Sequence, residues 1–141
     1  MKRRIVIDTN VYIASLRSRR SASYRLFTML DRDDIEINVS VPLILEYEDA
    51  AKRVTREIGL NHADIDDDID YICSVAKRRK IHFLWRPLLK DPRDDHVLEL
   101  AVVSECKFIV TYNIRDFSGA EQFGIRVVTP KEFLKVIGGL S

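Results

Sequence analysis

Ile5-Val6-Ile7-Asp8-Thr9-Asn10 decides how the chain is read. Consecutive β-branched apolar residues read as a strand buried on both faces, the pattern of the middle of a parallel sheet. A carboxylate, a hydroxyl and an amide follow at once. A charge placed directly after a buried strand is costly unless something pairs with it. In open α/β sheets, ligands bind outside the carboxyl ends of the strands. Asp8 is therefore either a functional carboxylate at the mouth of a sheet or a cap for the next helix, since Asp, Thr and Asn all cap backbone N–H groups. Other acids reaching the same edge decide for the first.

The rest of the chain supplies such edges. After the basic stretch Arg17-Ser18-Arg19-Arg20, Ser21 or Ser23 caps a helix carrying Tyr24, Phe27 and Leu30. Ile37-Asn38-Val39-Ser40-Val41 alternates with period two and reads as a second strand. Pro42 opens a helix whose stripe runs through Leu43, Tyr47, Ala51, Val54 and Ile58 to a stop at Gly59. Glu46 lies in its first turn. Asn61 caps a third helix with Ile65, Ile69 and Ile72 inward, so the acidic run from Asp64 to Asp70 falls mostly on a solvated face. Residues 81–85 read as a third strand, and Lys77-Arg78-Arg79-Lys80 before it as a cationic helix end on the edge away from Asp8. Arg93-Asp94-Asp95 opens a helix with Leu98 and Ala101 inward. Lys107-Phe108-Ile109-Val110-Thr111 is a fourth strand, and residues 125–129 a fifth. Pro130 opens the last helix.

Strands alternating with helices imply an α/β fold. The expectation is one three-layer α/β/α domain over residues 1–141, built on a mostly parallel five-stranded sheet. With 141 residues, 46% hydrophobic and 32% charged, the chain has the size and balance of one globular core. Its net charge of +1 points neither to nor away from nucleic acid. No apolar run has the length of a membrane span, and none after the basic N-terminus is long enough for a signal peptide. A cytoplasmic protein with no membrane partner is expected. Cys73 and Cys106 lack metal or redox spacing and read as reduced core residues.

Asp8, Glu46, Asp94 (with Asp95 beside it) and Asp116 all fall at strand-to-helix junctions. Carboxylates about 4 Å apart repel by roughly 4 kcal/mol at an effective dielectric near 20. Such a group holds together at neutral pH only if protonated or sharing a cation. Oxygen-only ligands select hard cations, here Mg²⁺ or Mn²⁺, one ion or two. Such ions activate water and neutralise charge in an in-line displacement. The chemistry indicated is metal-assisted phosphodiester hydrolysis.

In chain order, Ile-Val-Ile-Asp8-Thr9-Asn10, Leu45-Glu46-Tyr47-Glu48, Asp91-Pro-Arg-Asp94-Asp95-His-Val-Leu-Glu-Leu-Ala101 and Val110-Thr111-Tyr-Asn113-Ile-Arg-Asp116-Phe117 resemble the four motifs of the PIN domain family. Gly124-Ile-Arg-Val-Val-Thr-Pro130-Lys-Glu-Phe133-Leu134 resembles the closing strand and helix of its VapC-like toxin branch. The resemblance spans essentially the whole chain. It implies a metal-dependent ribonuclease, the toxin silenced by an antitoxin protein and often a homodimer. It matches Asp8, Glu46 and Asp94 to the central metal-binding acids, Asn10 to the residue that orients the first, and Thr111 to the hydroxyl of the last motif. The chain departs from the fullest pattern at Asn113, where many members carry Asp. Asp116 then stands as the fourth carboxylate, with Asn113 supporting and Asp95 either supporting or a helix-start acid. Asp91 reads as a loop acid.

RNA needs cations, and Arg17, Arg19 and Arg20 lie near the predicted mouth. Tyr12 and Tyr112 flank two motifs, where they either stack on a base or pack in the core. His96 reads as a surface histidine. Two further readings of the acids stand beside the ribonuclease. One is a phosphoryl-transfer enzyme with Asp8 as covalent nucleophile, although Asn10 takes the place where such enzymes want a second acid. The other is an impaired module that only binds RNA or protein.

Overall fold

The computed structural model describes residues 2–81, 89 and 91–138. Its sheet has the strand order β3-β2-β1-β4-β5, with β1 at Arg3–Ile7, β2 at Ile35–Val39, β3 at Lys77–Arg78, β4 at Phe108–Val110 and β5 at Arg126–Val128. Every pairing among them is parallel. Among the described residues, seven α-helices accompany the strands: α1 Thr9–Arg17, α2 Ala22–Phe27, α3 Val41–Arg53, α4 Thr55–Ile58, α5 His62–Val75, α6 Asp95–Val103 and α7 Pro130–Val136. The expected three-layer α/β/α fold on a five-stranded sheet holds, and the sheet is fully parallel among the described residues.

β1 is the central strand, with β2 and β4 on either side, and Ile5, Val6 and Ile7 are wholly buried. That is why its sequence shows an unbroken apolar run rather than alternation. The chain reverses order at β1: β2 and β3 build outward on one side, β4 and β5 on the other. Ligand crevices form at such a switch point, and Asp8 is the first residue past it.

The helices begin where their caps predict. Ser21, Ser40, Asn61 and Thr129 each accept a backbone N–H of the first turn, and Asn61 and Thr129 complete reciprocal capping boxes with Asp64 and Glu132. Two expectations are corrected. The helix opened by Pro42 does not run unbroken to Gly59. It stops at Arg53, Val54 leaves helical geometry (φ −110°, ψ 11°), and the single turn α4 follows before Gly59 takes its left-handed φ of 72°. The apolar stripe continues through the break, so periodicity could not show it. The edge assigned to the basic run also changes, while the expected strand over 81–85 lies outside the described residues but for Ile81. β3 is the polar pair Lys77–Arg78, bonded to Asn38 and Val39. Arg78 therefore stands beside the carboxyl end of β2. The basic run is at the same edge of the sheet as Asp8, not the far one.

Buried polar groups pin these pieces. Tyr47 of α3 donates its hydroxyl to the Ile7 carbonyl, latching that helix to the end of β1. Tyr12 of α1 donates to Asp68 of α5 at 2.7 Å, which gives one member of the acidic run a structural partner. Cys73 and Cys106 are free thiols, and burial pushes the Cys106 thiol up to about 12. No helix among the described residues is long and apolar enough to cross a membrane.

Candidate active site

Asp8 caps α1, as its sequence allowed, and carries a second bond on its other oxygen. Its Oδ1 accepts the Thr9 N–H at 2.9 Å, capping α1, and its Oδ2 accepts the Thr111 hydroxyl at 2.8 Å. Only 7% of the residue is exposed. Burial pushes its carboxyl above the ordinary value, against the hydrogen bonds from Thr111 and Thr9, and the charge of Glu46 adds to the rise. A cap alone does not require a carboxylate so deep, with another acid near it.

Thr111, the residue after β4, is the hub. Its hydroxyl accepts Asn10 Nδ2 at 3.3 Å and the Asn113 N–H at 3.0 Å. With both lone pairs engaged, its proton goes to Asp8. Asn10 thus orients Asp8 through Thr111 rather than directly, and its Oδ1 accepts the Tyr112 N–H at 3.3 Å. Asn113 contributes through its backbone.

Glu46 sits in the second turn of α3, which starts at Val41. Thr9 Oγ1 donates to its Oε2, and His96 Nε2 lies 3.3 Å from its Oε1. Burial works to raise this carboxyl, but the bonds from His96 and Thr9 outweigh it and hold Glu46 below its ordinary value. His96 is therefore not a surface histidine: its side chain is only 15% exposed and faces Glu46. Thr9 and His96 are the site residues that sequence reasoning passed over. Each is adjacent to a motif acid, but the partner that gives it a role comes from a distant segment.

Asp94 closes a short 3₁₀ turn, Pro92–Asp94, at the entry to α6. Burial pushes its carboxyl up to about 6, reinforced by the charges of Asp8, Asp91, Asp116 and Glu46. The predicted acids are thus close enough to repel one another. Asp116 is exposed, on the 3₁₀ turn Ile114–Phe117. Asp91 is held below its ordinary value by hydrogen bonds from Arg93. Asp95 is fully buried and accepts the Leu89 N–H at 2.8 Å. That bond ties the start of α6 to Leu89.

The donors are all oxygens, and one of their carboxyls is strained toward neutrality. That is the chemistry of a hard-cation site. Among the described residues, no three His, Cys, Asp or Glu side chains close on one point as a cage. Mg²⁺ does not require one, since it is commonly held by one or two carboxylates plus waters and phosphate oxygens. The residues fit such an ion.

The predicted cations divide. Arg17 is paired with Glu57, whereas Arg19 and Arg20 are exposed and line a groove beside α2.

The PIN domain family model matches residues 4–115, and the chain belongs to that family. Its members are generally nucleases and generally use divalent metal ions. In fold, the chain is similar to one in the crystal structure of VapBC2 from Rickettsia felis bound to a DNA fragment from their promoter. The TM-score is 0.57 at 11% identity, over 88% of this chain and 96% of that one. No curated protein matches the sequence.

Proposed function

We propose that this chain is an Mg²⁺- or Mn²⁺-dependent endoribonuclease, the toxin of a toxin–antitoxin pair acting in the cytoplasm. The observation that carries the reading is the anchoring of two carboxylates from separate junctions: Asp8 accepts the Thr111 hydroxyl at 2.8 Å, and Glu46 accepts the Thr9 hydroxyl and lies against His96. Burial and the charges of Asp8, Asp91, Asp116 and Glu46 push the Asp94 carboxyl up to about 6, a repulsion among the acids. A divalent cation bound there would relieve that repulsion, activate a water and neutralise the phosphate under attack.

Each residue then has a part. Asp8, Glu46 and Asp94 would supply the oxygens for one ion, one or two of them directly and the rest through bound water, and Asp116 would add the charge that Asn113 lacks toward a second. Thr111 supplies the proton that keeps Asp8 Oδ2 in place, with Asn10 and the Asn113 N–H fixing that hydroxyl. Thr9 and His96 hold the two oxygens of Glu46. Arg19 and Arg20 take flanking phosphates. The R. felis neighbour was solved as a VapBC2 complex, which supports an antitoxin protein as partner; a homodimer of this chain is the expected assembly.

The test is cleavage of labelled RNA by purified protein with Mg²⁺, Mn²⁺ or EDTA, alongside Asp8→Asn. Cleavage only with metal and only by the unsubstituted protein is expected. Cleavage that survives EDTA or Asp8→Asn would refute the reading, and a phosphoenzyme trapped on Asp8 would replace it with covalent phosphoryl transfer.

A further inference from the structure

Tyr112 follows Thr111 and is held at both ends. Its N–H donates to Asn10 Oδ1 at 3.3 Å, and its phenol oxygen lies 2.6 Å from Ser23 Oγ. Ser23 is completely buried in α2, yet Tyr112 is 44% exposed. Tyr12 and Tyr47, which pack in the core, are both at 0%. Tyr112 is thus an aromatic face fixed in position and turned to solvent, next to the acidic edge.

Along α2, whose Ser23 anchors Tyr112, lies a groove of about 510 Å³ whose lining includes Arg19, Arg20, Tyr24 and Lys131. Lys131 reaches it from the first turn of α7, which packs against α2. The Thr111 N–H donates to the Val128 carbonyl at 2.9 Å, and α7 begins at Pro130. The groove therefore opens at the same end of the sheet as the site, one strand over. Arg19, Arg20 and Lys131 enter no ion pair among the described residues. Arg17, only two residues before Arg19, is neutralised by Glu57.

We propose that the α2/α7 groove is the track for single-stranded RNA beside the cleavage point. Arg19, Arg20 and Lys131 hold successive phosphates, and Tyr112 stacks on the base between them and the acids. The proposal rests on the ribonuclease reading above. It fits the electrostatics: an acidic edge repels a polyanion, so a substrate strand needs cations beyond that edge. A tethered, solvent-facing ring together with a cationic groove on the same helix is the combination that binding of single strands uses.

The test is fluorescence anisotropy of a short labelled single-stranded RNA in EDTA, titrated across a salt series. Each phosphate contact on a single strand contributes about 0.7 to the slope of log affinity against log salt. The triple variant Arg19→Ala, Arg20→Ala, Lys131→Ala is expected to flatten that slope by about 2 and to weaken binding at least about tenfold. Tyr112→Leu is expected to weaken binding roughly tenfold with the slope unchanged, and Tyr112→Phe to retain most of it. Thermal melts establish that each variant folds; should the triple variant not fold, Lys131→Glu alone, at an exposed position, is expected to flatten the slope by about 0.7 and to weaken binding. Unchanged affinity and slope in the charge variants would overturn the proposal. So would poly-glutamate binding the groove more tightly than RNA, which would assign it to an acidic protein segment. RNA held through the groove but never cleaved under metal would defeat the nuclease reading and keep the track. Metal-dependent cleavage unaffected by the charge variants would do the reverse.

Discussion

A carboxylate buried as Asp8 is, and pushed above its ordinary value, is a cost that the folded chain carries. Asp8→Asn keeps an oxygen for the Thr9 N–H and removes the charge. It is expected to abolish cleavage while leaving the melting temperature in metal-free buffer unchanged or raised. Asp8→Ala, which also loses the cap, should cost about 1 kcal/mol by denaturant titration. Asp94 gives a pH signature. Its folded-state carboxyl titrates near 6, against an ordinary 3.8. Between those values the folded chain binds more protons than the unfolded one, so this residue's contribution to stability falls as pH rises from about 4 to about 6 and then levels. Subtracting the profile of Asp94→Asn from that of the unsubstituted protein, both in EDTA, should isolate that fall; parallel profiles would show that Asp94 does not feel the other acids. His96 is a positioning residue. His96→Ala frees one oxygen of Glu46 and is expected to lower kcat more than KM, with His96→Gln, which can still donate to that oxygen, recovering part of the loss. Its role was not legible in the sequence, because Glu46 lies 50 residues away and only tertiary packing joins the two.

Between elements, the latch that matters is Tyr47 on Ile7. Tyr47→Phe removes a buried donor from the carbonyl directly before Asp8 and should cost roughly 1–2 kcal/mol in urea titration. It should also reduce cleavage, because Glu46 rides on the same helix. β1, β2, β4 and β5 were readable to within a residue or two, since each is apolar, short and bounded by turn or cap residues. β3 was not: Lys77 and Arg78 are both exposed and carry no pattern, and only pairing with Asn38 and Val39 makes them a strand. The break at Val54 was hidden because the buried stripe is continuous while the backbone is not. The acids of the site were readable for a simpler reason. They lie at the ends of strands, and an α/β chain delivers all such ends to one edge.

For the molecule as a whole, a cation that binds only the folded state adds stability by mass action, about 2.7 kcal/mol at a hundred times its dissociation constant. Mn²⁺ or Mg²⁺ should therefore raise the melting temperature of the unsubstituted protein by several degrees and that of Asp8→Asn far less. Equal shifts in both would place the ion elsewhere. The order of the strands has a consequence in time. β1 pairs with β4 across most of the chain, and Thr111 meets Asp8 from 103 residues away. Contacts of such separation form late in folding, and a nascent chain emerges from the ribosome N-terminus first. Asp8 leaves the ribosome early and has no hydroxyl to hold it until Thr111 has followed. The half-made chain is thus a strand and several helices in which the Asp8–Thr111 pair is still missing, so the site is completed only after β4 has been translated.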